Sequence, residues 1–157
     1  MSPIPEVILS PDKFEMTPYE FTEFAIQHKG EPISLSRRPW LRSVYNAPIN
    51  LRGQSDSQNL RRKVLLVFGR QCEKSTTIGN TLISLSNLIP YLRLLYVTAS
   101  NPQMREFSDE RLRAVISDSP TLKELTGHSI KGGRETQNVQ TKRWLNQSKI
   151  VLRSVYR

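Results

Sequence analysis

A run of apolar residues that stops at a glycine, with Lys-Ser-Thr-Thr close behind, constrains this chain more than any other feature. The stretch reads Lys63-Val-Leu-Leu-Val-Phe-Gly-Arg-Gln-Cys-Glu-Lys-Ser-Thr-Thr77. Apolar continuity and β-branched content predict a buried strand over residues 64–68, and helical spacing of Ile78, Leu82, Leu85 and Ile89 predicts a helix from 75 to about 88, stopped by Pro90. Strand, loop and helix start form the layout that cradles phosphate. In that reading the amides of Gly69, Arg70, Gln71, Cys72 and Glu73 form the cradle. Lys74 reaches the β- and γ-phosphates, and the Ser75 hydroxyl ligates magnesium. The pattern therefore implies a nucleoside triphosphate ligand. It also departs from the standard motif, which has glycine where this chain has Glu73. The motif's other glycine falls at Phe68, one place before Gly69. A carboxylate beside a triphosphate is repulsive unless it points away.

The surrounding pattern predicts an α/β chain. Residues 92–98 read as a second strand, so strand, crossover helix and strand make a parallel βαβ unit. Such sheets bind ligands beyond the carboxyl ends of their strands, which puts residues 69–74 and 99–103 on one rim. A helix is expected over 102–116 with Leu112, Val115 and Ile116 inward, and a short one over 122–125 ending at Gly127. A loop at 129–135 precedes paired strands at 138–145 and 149–156. Upstream, Thr17-Pro-Tyr-Glu20 is a capping box that starts a helix with Phe21, Phe24 and Ala25 on one face and Gly30 at its stop. A short helix is expected at 40–45 and a flexible loop at 53–59. The chain divides by pattern into an N-terminal extension, residues 1–60, and a core, residues 61–157.

Charge is uneven. The net is +9 over 157 residues. Residues 1–30 sum to −3, whereas 31–63 sum to +5 and 128–157 to +6. Basic excess of this kind favours a polyanion partner. One cysteine, Cys72, excludes an intrachain disulfide and fits a reducing compartment. No signal-peptide pattern opens the chain, and its apolar runs are too short to span a bilayer.

The segment Gly69-Arg-Gln-Cys-Glu-Lys-Ser-Thr-Thr77 resembles the deviant phosphate loop of the large terminase subunit of tailed bacteriophages. Three further segments agree in order. Arg38-Pro-Trp-Leu-Arg-Ser-Val-Tyr-Asn46 is similar to the segment that helps hold adenine. Leu95-Tyr-Val-Thr-Ala-Ser-Asn-Pro-Gln103, with Phe107-Ser-Asp-Glu-Arg-Leu112, resembles the family's second strand and helix. Ser148-Lys-Ile-Val-Leu-Arg-Ser-Val-Tyr156 resembles the strand before its second acidic motif. The resemblance implies a P-loop NTPase-type parallel sheet with flanking helices, here its N-terminal portion plus a C-terminal β-hairpin. It implies ATP and Mg2+ as cofactors, Lys74 and Arg70 as catalytic charge stabilisers, Thr76 in the nucleotide site, and Trp40 and Tyr45 beside the base. The implied partners are double-stranded viral DNA, the portal protein, the small terminase subunit and further copies of the chain. The implied location is the host cell cytoplasm, without a membrane.

Other candidates carry less chemistry. His28 and His128 lack partners of metal-ligand type. Asp109-Glu110 reads as a solvated helical face. Asn101 and Gln103 sit where a switch between nucleotide sensing and DNA gripping would lie, and the plainer reading of Asn101 is a cap for the helix that follows. Hydrolysis in this class needs an acidic residue for magnesium and a glutamate to polarise water. No apolar strand followed by such a pair occurs, so an N-terminal fragment that does not itself turn nucleotide over is expected. Two alternatives share the same features: a helicase-like P-loop translocase, and a basic DNA-binding protein without a nucleotide site.

Overall fold

The computed structural model describes residues 16–53, 65–69, 72–127 and 138–156. Helix α1, Pro18–Ala25, begins as the capping box requires. The Thr17 side chain accepts from the Glu20 amide, and the Glu20 carboxylate accepts from the Thr17 amide at 2.8 Å. Hydrogen bonds donated to it by the Thr17 amide and the Thr17 hydroxyl hold the Glu20 carboxyl below its usual pKa. Phe21 and Ala25 are buried, but Phe24 is half exposed, so the expected apolar face is narrower than the pattern implied. Gly30 is not the helix stop either. Chain reversal begins at Ile26, and Gly30, at φ +82°, turns a two-residue hairpin between β1, Gln27–His28, and β2, Glu31–Pro32.

Helix α2, Leu41–Gly53, runs longer than expected and carries Pro48 inside it. Helix α3, Lys74–Leu88, matches the expected element and ends at Ile89. Its last turn is tied down. The Asn146 side-chain amide donates to the carbonyls of Ser86 (2.8 Å) and Asn87 (3.1 Å), and the Ser148 hydroxyl donates to that of Ile89 at 2.6 Å. These bonds satisfy carbonyls that a helix C-terminus leaves without internal partners.

The sheet differs from the expected parallel one. It is mixed and three-stranded, in the order β3-β5-β4. Strand β3, Arg93–Thr98, runs parallel to β5, Lys149–Ser154; β4, Thr141–Arg143, runs antiparallel to β5. The C-terminal hairpin is therefore present, in shortened form. The expected strand at 64–68 is not a strand over its described residues. Leu65 and Val67 are 87% and 84% exposed, while Leu66 borders a cavity with residues of α2 and α3, and the Phe68 ring is 5.8 Å from that of Trp40. The parallel βαβ unit joining it to β3 is consequently absent. β3 instead finds its parallel partner in β5, more than fifty residues on.

Between β3 and β4 the chain is helical. Helix α4, Asn101–Glu106, continues through a π-helical turn, Phe107–Arg113, into α5, Ala114–Asp118. Leu112, Val115 and Ile116 face inward as the periodicity requires, and Asp109 and Glu110 are exposed. Ser100 occupies the N-cap position expected of Asn101, whose side chain instead accepts from the Ser154 hydroxyl at 3.1 Å. Helix α6, Pro120–Leu125, ends before Gly127, at φ +75°.

One core joins these parts. Phe21 and Ile26 near the N-terminus, Ile83 of α3, Phe107 and Leu112 of the π-helical turn, and Ile150 and Leu152 of β5 belong to a single apolar cluster. Tyr96 stacks on Phe107, centroids 3.9 Å apart and planes 12° apart. Strand alternation places Leu94 and Tyr96 on this core face, with Leu95 and Val97, both more than half exposed, on the other. The fold is therefore mixed α/β, with helices on one face of a small sheet. Among the described residues no helix is long and apolar enough to cross a membrane.

Candidate functional site

Helix α3 begins at the lysine of the motif. Its N-terminus is open: no side chain caps it, and the first helical backbone bond is that of the Thr77 amide to the Glu73 carbonyl, at 2.8 Å. The amides of Lys74, Ser75 and Thr76 thus have no acceptor inside the helix, and the aligned peptide dipoles leave partial positive charge there. Gly69, Cys72, Glu73, Lys74, Ser75 and Thr76 border one cavity of about 420 Å³, which Arg111 closes from the π-helical turn. The sequence-derived loop residues are therefore brought together, except Arg70 and Gln71, which lie outside the described residues. His128 and the 129–135 loop lie outside them as well. Cys72 presents an exposed thiol. A β-carbon on Gly69 would come 3.2 Å from its sulfur, so a larger residue there would require the thiol to shift.

Glu73 explains how the chain accommodates its departure from the motif. Its backbone lies in the left-handed region, φ 54° and ψ 18°, where glycine is favoured. The loop thus keeps the backbone shape a glycine would adopt, with about 1–2 kcal/mol of strain for a residue bearing a β-carbon. The carboxylate forms an ion pair with Arg38. Arg38 comes from the segment before α2, so the two parts of the chain meet at this loop. The partner cation offsets the repulsion that a bare carboxylate would exert on an anion.

Two further cavities adjoin the first. One, about 360 Å³, is bordered by Ser75 of α3 and by Thr98 and Gln103; of the rim expected from residues 69–74 and 99–103 it holds only Gln103. The other, about 350 Å³, is bordered by Arg38, Tyr45, Glu73, Thr76 and Asn80. Tyr45 is 1% exposed, and its hydroxyl accepts from the Asn80 side-chain amide at 3.3 Å. Burial raises its phenol pKa, against smaller lowering from hydrogen bonds with Asn80 and Thr77. Trp40 takes no part in this cavity; its ring is half exposed and leans on Phe68.

Two residues of this site escaped the sequence reading. Asn80 looked like an ordinary helix position, yet it is 1% exposed and its Oδ1 has no hydrogen-bond partner among the described residues. Its place one helical turn after Thr76, on the same face of α3, was the available signal. Arg111 borders all three cavities, and nothing local in its sequence marks it. Among the described residues no group of three or more His, Cys, Asp or Glu side chains is placed to hold a metal.

No family model, curated protein or solved structure matches this chain.

Proposed function

We propose that this chain binds the triphosphate of ATP at residues 69–76 and belongs to a DNA-packaging motor of the terminase large-subunit kind. The observation that carries the reading is the open N-terminus of α3. Lys74, Ser75 and Thr76 stand together at its first turn and border a cavity large enough for a triphosphate. Lys74 would neutralise phosphate charge, and Ser75 would hold magnesium, which supplies further charge neutralisation when bound. Tyr45 and Asn80 border an adjoining cavity, which in this reading would receive the base of that nucleotide. Further support comes from the net charge of +9, which suits a DNA partner. The portal protein, small subunit and further copies of the chain follow from the resemblance.

The alternative of a basic DNA-binding protein without a nucleotide site draws on one specific observation. Residues 65–69 do not enter the sheet, although the phosphate loop of an NTPase normally follows a central strand. A titration separates the readings. A fluorescent ATP analogue with magnesium should bind the intact chain, and Lys74→Ala should weaken that binding at least tenfold. Saturating nucleotide should also slow alkylation of Cys72, which borders the same cavity. Equal binding by the intact chain and the alanine variant, with unchanged labelling, would remove the nucleotide site and leave the basic-protein alternative.

A further inference from the structure

Arg111 is the residue on which the three cavities converge. It borders the loop cavity with Lys74 and Ser75, the rim cavity with Thr98 and Gln103, and the base-side cavity with Tyr45 and Asn80. Its placement is built into two helices. The π-helical turn Phe107–Arg113 carries it, and π turns offset the residues of a helix from their ordinary α-helical directions. Leu112, next in sequence, is fully buried in the core, so the turn is anchored immediately beside the arginine. On the facing helix stands Gly79. A β-carbon there would lie 3.5 Å from the Arg111 β-carbon and 3.6 Å from its carbonyl oxygen, so α3 and the turn approach closely, one helical turn past Ser75. Among the described residues the guanidinium makes no hydrogen bond or ion pair. Glu106, the carboxylate that shares the rim cavity, lies outside ion-pair distance. Glu73, the carboxylate of the loop, is taken by Arg38. A partly buried guanidinium without an anion therefore stands beside an open helix N-terminus and a lysine.

We infer that Arg111 is a phosphate ligand of this site, a cation delivered in cis by the π-helical turn. The inference rests on the nucleotide reading above and deepens it by adding an anion-binding residue from a second helix. A guanidinium presents a planar fork of donors that matches phosphate oxygens, whereas Lys74 contributes a point charge. The two come from different elements, so an anion between them ties α3 to the α4–α5 helix. The loop lacks the glycine that normally precedes the lysine, and a cation from outside the loop supplies charge that does not depend on the loop's own shape.

The test uses the whole chain and two probes, inorganic triphosphate with magnesium and adenosine, each followed by calorimetric titration. Arg111→Ala should raise the Kd for triphosphate about tenfold, in line with loss of a charge-assisted hydrogen bond, and raise that for adenosine by a much smaller factor. Arg111→Lys keeps the stem that packs on α3 and should recover part of the loss, which separates charge from folding. If Lys74→Ala weakens triphosphate binding while Arg111→Ala matches the intact chain, Arg111 is not a ligand and the nucleotide reading stands. If Arg111→Ala weakens both probes equally, its role is structural and the inference fails. If neither variant changes triphosphate binding, the nucleotide reading fails and takes this inference with it.

Discussion

Two segments of this chain carry the same apolar signature and meet different ends. Residues 93–98 form β3 and pair along their whole length with β5. Residues 65–69 carry a comparable pattern and join no ladder. Both alternate in exposure: Leu94 and Tyr96 turn toward the core, Leu66 borders a cavity with α2 and α3, and Phe68 meets Trp40, while Leu95, Val97, Leu65 and Val67 are exposed. The difference lies in the neighbour. β3 has β5 beside it to take its backbone groups, and among the described residues no strand pairs with 65–69. Apolar continuity thus specifies an extended run with one side to bury, but the partner that turns such a run into a strand comes from elsewhere.

The largest test of this contrast is a pair of truncations. Leu152→Ala, in the core-facing row of β5, should destabilise the chain by about 2–5 kcal/mol. Leu65→Ala should cost less than about 0.5 kcal/mol, because its side chain is already in water. Denaturant unfolding of both variants checks this. Comparable losses would mean that residues 65–69 share the sheet's burial after all.

A second test concerns the loop that follows the unpaired run. Glu73→Gly removes left-handed strain worth about 1–2 kcal/mol, against about 0.5–1 kcal/mol of added chain entropy in the unfolded state. A small net gain in stability, up to about 1 kcal/mol, is expected by thermal unfolding. Triphosphate affinity should rise as the carboxylate disappears and Arg38 loses its partner. Weaker binding would show that the Arg38–Glu73 pair shapes the loop for its ligand.

The smallest effect separates the regions by pH. Burial raises the pKa of Tyr96 on β3 and of Tyr45 beside the loop. A phenol with a raised folded-state pKa holds its proton where the unfolded chain has released it. Stability is therefore unaffected below the ordinary tyrosine range near pH 10, and falls as pH climbs through the raised values. Phenolate absorbance should show both groups ionising above that range. Tyr96→Phe should remove part of the alkaline loss, and a titration identical to that of the intact chain would contradict it.

Much of the local structure was legible beforehand. The capping box at Thr17, the run of α3, the inward face of Leu112, Val115 and Ile116, and the shortened C-terminal hairpin all follow from residues within a turn or two of each other. Capping and side-chain period act over such distances, so one stretch of chain suffices to specify them.

The rest depended on encounters between distant residues. Arg38 meets Glu73 across 35 positions, and Asn146 reaches the end of α3 across 60. Lys142, which reads as a surface residue, is fully buried on the core face of β4 and donates to the Asn138 carbonyl at 2.9 Å. Arg111 acquires its place only because a π-helical turn and Gly79 bring two helices together. The sequence by itself determined where α1 and α3 begin and which faces of the 102–116 helix turn inward, and it marked Lys74 and Ser75 as a helix start. Tertiary structure decided which extended run found a strand to pair with, and which charges converge on that helix start. Backbone periodicity is a property of neighbours, whereas pairing and charge convergence exist only once the chain has closed on itself.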